Sequence, residues 1–311
     1  MREFLTRSLR GVNQNKLRGI LAEVAFRAHL KSIGFEDRIS AGGWIARNDA
    51  RGGRRFAEHA CVFFPETIQP GVDYSIHRPL PPPPPGLHSI CTTFRQIGVR
   101  SYFCAATVHD ATRVSESMVE WSCIELGLPT EQSYARFPES LKEFQPRNRR
   151  HNYLRHATDS ATIPDEYVPE EFSKECLRVA FSSRYLSEIV DLDGVFWGQC
   201  HAYPIEIKEK AVAHDDLVGE FFGLDVGPFV KLTYYAAKRG NLHSMFVVRE
   251  VSDDDARHER GWWFITFEDL ASFASWQPLG GGKTMTGGSS TVIIIPKAEF
   301  RPLNAATLQT L

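Results

Sequence analysis

The sequence predicts an α/β fold, or an α+β one, with a mixed central sheet flanked by helices, and three observations point there. Runs of strand length rich in Ile, Val, Phe and Tyr recur at 187–197, 203–208, 243–249, 261–267 and 291–296. Between and before them stand stretches with apolar residues at helical spacing, 13–33 and 228–238. The composition, 42% hydrophobic and 24% charged over 311 residues, is that of a globular chain long enough to bury a full core, with no apolar run of membrane length.

The chain is organised around Ser187–Trp197 and Tyr203–Lys208, two strand patterns separated by the turn Gly198-Gln199-Cys200-His201. Residues two apart on a strand share a face. Glu206 and Lys208 therefore lie on one side, with Ile205 and Ile207 directed into a core. If the strands pair as a hairpin, Asp193 comes close to Glu206. Two carboxylates beside one ammonium offer a hard divalent cation such as Mg²⁺ the oxygens it favours, and the lysine can steady a phosphate oxygen or a developing hydroxide. Asp191 competes with Asp193, since it faces the same way about 7 Å along a strand. Asp193 is preferred because Asp-Gly at a strand end leaves its carboxylate more accessible.

An acidic residue on one strand followed by Glu-x-Lys on the next resembles the PD-(D/E)XK nuclease superfamily, here through Asp193 and Glu206-Ile207-Lys208 with Pro204 just ahead. The resemblance spans roughly residues 13–35 and 186–250. It implies a restriction-endonuclease-like core over 1–35 and 176–311, interrupted by a long inserted recognition region at 36–175. It further implies Mg²⁺-dependent hydrolysis of double-stranded DNA by a homodimer. Asp193 and Glu206 would hold the metal and Lys208 would orient the attacking water. Glu23, on the preceding helix, would help through water or a second ion. The family often adds a polar helix after the lysine strand, sometimes with a Gln-x-x-x-Tyr pair. Lys231-Leu232-Thr233-Tyr234-Tyr235 has that spacing with lysine in place of glutamine, and Lys231 and Tyr235 become candidate DNA contacts.

The helix at 13–33 shows Leu17, Ile20, Leu21, Val24, Ala25, Ala28 and Leu30 at helical spacing, with Asn13 or Asn15 as a cap and Gly34 as its stop. Without the resemblance, Glu23 reads equally as an edge residue paired with Arg27, four positions on. Arg51-Gly52-Gly53-Arg54-Arg55 reads as a loop and Cys61–Phe64 as a short buried strand. Pro79–Gly86 must be extended polyproline II, a stiff spacer that marks a sub-domain edge. Ile97–Ala105 predicts a strand, and the spacing at 118–126 a short helix closed by Gly127 and Pro129. His59, Cys61, His88 and Cys91 are soft ligand types but lack the paired spacing of a zinc site.

The net charge of −2 exerts no global pull on nucleic acid, so DNA binding must rest on local clusters. One is Lys142, Arg147, Arg149, Arg150, His151, Arg155 and His156, interleaved with Phe144 and Tyr153. Arginine beside aromatics suits phosphate contact and stacking, and the same stretch also reads as a solvated loop. Six scattered cysteines read as reduced cytoplasmic thiols, and the N-terminal residues lack a signal-peptide pattern. Gly280-Gly281-Gly282-Lys283-Thr284 fails as a phosphate loop, because Gln277 stands where its first glycine belongs and a strand follows. The glycine run from 280 to 290 reads as a mobile hairpin loop able to close on a substrate.

Overall fold

A computed structural model describes residues 1–9, 14–48, 60–108, 118–129, 132–137, 141, 143–147, 160–238, 242–283 and 288–311. Its chain order begins α1 (Arg2–Ser8), α2 (Asn15–Ser32), β1 (Gly43–Asn48), β2 (Ala60–Pro65), α3 (Leu87–Gln96), β3 (Arg100–Val108) and β4 (Val119–Leu126). β5 (Ala135–Arg136), β6 (Gln145–Pro146), α4 (Val168–Arg184), β7 (Tyr185–Leu192), β8 (Gly194–Trp197), β9 (Ala202–Ala211), β10 (Ala213–Asp215) and β11 (Gly219–Asp225) come next. The rest is α5 (Val226–Ala237), β12 (Met245–Val251), β13 (Glu259–Thr266), α6 (Phe267–Phe273), β14 (Leu279–Lys283), β15 (Ser289–Pro296), β16 (Arg301–Pro302) and α7 (Ala305–Leu308). Helices pack on mixed sheets, so the α/β class holds. No described helix is long and apolar enough to cross a membrane.

The chain divides into two compact units, Met1–Arg10 with Ala41–Leu192, and Gly11–Ser40 with Asp193–Leu311. The expected division, 1–35 and 176–311 against 36–175, differs at three places. Residues 1–10 and 176–192 go with the first unit, because α1 packs on α4, and α4 packs on β1, β2 and β7. Residues 36–40 go with the second, where the Ser40 hydroxyl accepts the Val195 N–H at 2.9 Å.

The first unit is built on a seven-stranded sheet in the order β5-β4-β3-β2-β1-β7-β6. Only β2 and β3 pair in parallel, which requires a crossover, and α3 supplies it. Its core is aromatic. Phe181 on α4 lies 5.1 Å from Phe63, 5.3 Å from Phe144 and 5.0 Å from Tyr185 between ring centroids. The predicted helix at 118–126 is instead β4. Val119, Trp121 and Cys123 are buried at every second position, a period that the neighbouring Ile124 and Leu126 obscure. The proline run lies inside this unit rather than at an edge. The Tyr134 hydroxyl donates to the Pro81 carbonyl at 2.6 Å, and Gly86, at φ 83°, turns the chain into α3.

The second unit carries a five-stranded sheet, β16-β13-β12-β9-β8, and a four-stranded one, β10-β11-β15-β14. β9 and β12 are parallel, and their neighbours are antiparallel. Alternation sorts the larger sheet's side chains into two cores. Ile205, Ile207, Met245 and Val247 meet Ala22, Phe26 and Leu30 of α2. Phe246, Val248 and Ile265 meet Leu232 of α5, Leu270 of α6, and Phe222, Leu224 and Ile295 of the smaller sheet. Helix α2 ends as expected at Gly34, at φ 77°, in the left-handed conformation glycine adopts freely. Asn15 is its first residue rather than its cap, a place taken by Gln14, and Asn13 lies outside the described residues. Gly280 to Gly282 belong to β14, which pairs with β15, so they are strand and not loop; residues 284–287 lie outside the described set.

Candidate active site

The predicted hairpin is present, but the strand before it breaks at Asp193. Residues 185–192 form β7, which pairs with β1, and 194–197 form β8, which pairs with β9. The register Gly194↔Ile205 sets Asp193 beside Glu206, as the sequence anticipated. Asp193, only 3% exposed, accepts the Ile207 backbone N–H on Oδ2 at 2.7 Å. That bond anchors the carboxylate to β9 and continues the ladder one step past the end of β8.

Glu206 is paired with Phe246 and Lys208 with Val248 across β9 and β12, so both side chains project on the face covered by α5. The burial of Glu206 is nearly complete, at 1% exposure. A carboxylate removed from water so fully must be held by cations or donors. Two ammonium groups hold it: Lys208 Nζ lies 2.6 Å from Oε1, and Lys231 Nζ of α5 pairs with Oε2. The Lys208 side chain keeps 28% of its exposure, whereas Lys231 keeps 8%. Lys210 continues the row on β9. Burial foremost pushes its ammonium pKa below the usual lysine value; the Lys208 charge adds to this, and Asp225, at 4.0 Å, opposes it.

Asp191 is exposed near the end of β7, with only Leu192 between it and Asp193. Within the second unit, Asp193 and Glu206 each place a carboxylate oxygen within 4.8 Å of the other. Glu23 is not part of this group. Glu23 is buried on α2, the helix that covers the Ile205 and Ile207 side of the sheet.

The expected DNA contacts are placed differently. Lys231 is committed to Glu206, and Tyr235 is fully buried, so neither offers a surface to a nucleic acid. Lys231 and Tyr235, four apart on α5, both turn toward the sheet. Arg147 is half-buried, and its backbone N–H donates to the Arg184 carbonyl. Arg149, Arg150 and Arg155, with Lys142, His151, Tyr153 and His156, lie outside the described residues, as do Arg51–Arg55 and His59. Cys61 and Cys91 are buried thiols on β2 and α3; burial pushes the Cys91 pKa up to about 12.

No protein-family model, curated protein or solved structure matches this chain.

The donor set suits a hard cation. The Asp193 and Glu206 carboxylates supply oxygen ligands only, the chemistry Mg²⁺ prefers over sulfur or imidazole. The ammonium groups on Glu206 share its oxygens with any ion that enters.

Proposed function

We propose that the second unit is a Mg²⁺-dependent endonuclease that hydrolyses phosphodiester bonds of double-stranded DNA, in the manner of PD-(D/E)XK restriction enzymes. The observation that carries the reading is the junction of Asp193, immediately before β8, with Glu206 and Lys208 on the adjacent strand β9, with α5 and the parallel strand β12 later in the chain. Apart from β10 and β11, which intervene between β9 and α5, this order is the one the sequence resemblance implies. Asp193 and Glu206 would hold the ion. Bound there, Mg²⁺ would supply Lewis-acid stabilisation of charge developing on the phosphate. Lys208, the more exposed of the two lysines, would release Glu206 and donate to the attacking water or to a phosphate oxygen. Asp193, tied to the Ile207 N–H, stays in place during that exchange.

A second reading is favoured by one observation: both oxygens of Glu206 are held by ammonium groups. On that reading the unit is a nuclease-like binding module whose ion pairs are structural. Nicking of supercoiled plasmid separates the two. The hydrolase reading expects Mg²⁺-dependent nicking that is lost in EDTA, in Lys208→Ala and in Glu206→Gln. Plasmid left intact by the parent protein over a range of Mg²⁺ and Mn²⁺ concentrations would favour the binding module.

A further inference from the structure

Lys231 stands where the sequence resemblance implies a neutral glutamine, and it reaches the buried carboxylate that would serve as a metal ligand. We propose that Lys231 is a built-in counter-cation of this site: it holds Glu206 when no divalent ion is present and lowers the affinity of the site for such an ion. The inference rests on the metal-dependent reading of the Asp193 and Glu206 pair.

The argument is electrostatic. Glu206 is 1% exposed and the Lys231 side chain 8%, so water screens their interaction weakly. The two lysines differ in what they can do when a cation arrives. Lys208, with 28% of its side chain exposed, can turn its ammonium toward solvent or substrate. Lys231 is fixed on α5 between Val230 and Leu232, and Leu232 is buried in the core. Its positive charge therefore stays close to any ion held by Glu206 and opposes it. A neutral side chain at 231 removes that opposition and leaves Glu206 short of one counter-charge, which a divalent ion then supplies.

The sign of the effect separates this role from simple support. If Lys231 only buttressed Glu206, its removal would loosen a ligand and weaken metal binding. If it competes with the metal, its removal strengthens binding. Mn²⁺ serves as the probe, with free ion measured by electron paramagnetic resonance in the DNA-free, full-length protein. Lys231→Met and Lys231→Gln should bind Mn²⁺ at least tenfold more tightly than the parent, and Lys231→Arg, which keeps the charge, should match the parent. Thermal melts cover the case of a weakened fold: the metal-free Met variant should melt below the parent, and Mn²⁺ should raise its Tm by more than it raises the parent's. Equal or weaker Mn²⁺ binding by both neutral variants, or no binding by any protein, overturns the proposal. Tighter binding by the variants without plasmid nicking by the parent would sustain it and sink the hydrolase reading. Nicking by the parent with unchanged variant affinity would do the reverse.

Discussion

Asp193 gives the sharpest test, because its carboxylate holds the backbone of β9 and is also a candidate ligand. Asp193→Ala leaves the Ile207 N–H, now bonded at 2.7 Å, without its acceptor in a site that is 3% exposed. An unmet buried donor costs about 2 kcal/mol, within the usual span of roughly 1–3 kcal/mol. Asp193→Asn keeps an acceptor oxygen for the same N–H. It loses charge assistance, and it relieves repulsion with the Glu206 carboxylate, an oxygen of which lies within 4.8 Å. These two effects are each on the order of 1 kcal/mol and opposite in sign. The alanine protein should therefore be less stable than the asparagine protein by about 2 kcal/mol, or roughly 4–8 °C in the melting of a unit of this size. Urea and thermal melts followed by tryptophan fluorescence measure the difference. Hydrogen exchange at the Ile207 amide localises it, with protection kept in Asn and lost in Ala. Both variants should lack Mg²⁺-dependent cleavage, while Asp191→Asn should only slow it. Equal stability of the two Asp193 variants would refute the anchoring role. Cleavage by Asp193→Asn together with inactivity of Asp191→Asn would move the ligand to Asp191.

Three further outcomes are expected. Replacing Arg147, Arg149 and Arg150 by alanine should weaken DNA binding and flatten its salt dependence by about one unit of slope for each phosphate no longer neutralised; an unchanged slope would mark the cluster as a solvated loop. Phe181→Ala removes a ring that touches Phe63, Phe137, Phe144 and Tyr185, and should cost about 3–5 kcal/mol in a urea titration, a cost below about 1 kcal/mol being incompatible with that packing. In the native protein at pH 8 a thiol reagent should modify exposed Cys200 quickly and spare buried Cys61, Cys91, Cys104, Cys123 and Cys176, with burial holding Cys61, Cys91 and Cys104 as thiols; fast reaction of a second cysteine would contradict the core described here.

How much of this was legible in the sequence depends on how cleanly each element separates its faces. Strands β12, β13 and β15 and helices α2 and α5 were readable because their apolar residues keep one period and their ends carry clear stop signals such as Gly34. Helix α4 is hard to read because its buried surface mixes apolar residues, Phe172, Cys176, Leu177, Val179 and Phe181, with charged ones. Glu171, Lys174 and Glu175 are only 1%, 5% and 3% exposed, which is feasible only because Lys174 pairs with Glu171 at 3.0 Å and Arg178 with Glu175 at 2.8 Å. Ion pairs set among the buried apolar positions interrupt the helical period by which a sequence is read. The short strands β10 and β11 were missed for a different reason. Their pairing ends at Asp215↔Gly219, and the turn between them exposes Leu217 almost completely, so polarity and periodicity both point the wrong way there.

The candidate site shows the same limit at the scale of single residues. Alternation along 203–208 fixes which side chains share a face, and a hairpin turn fixes which carboxylates become neighbours. Both inferences are local, and the structure has Asp193 and Glu206 where they put them. What covers that face is not local. Glu206 is buried because α5 lies over it, and a buried carboxylate needs a counter-charge from whatever element covers it. Lys231 meets that need from a helix reached only after β10 and β11 have intervened. The sequence signal for it was the lysine at a position on the sheet-facing side of an otherwise apolar helix. A charge on a covered face implies an opposite charge beneath it, and on this sheet the carboxylate available is Glu206. Lys231, on the covered face of α5, thus answers the charge of Glu206 beneath it.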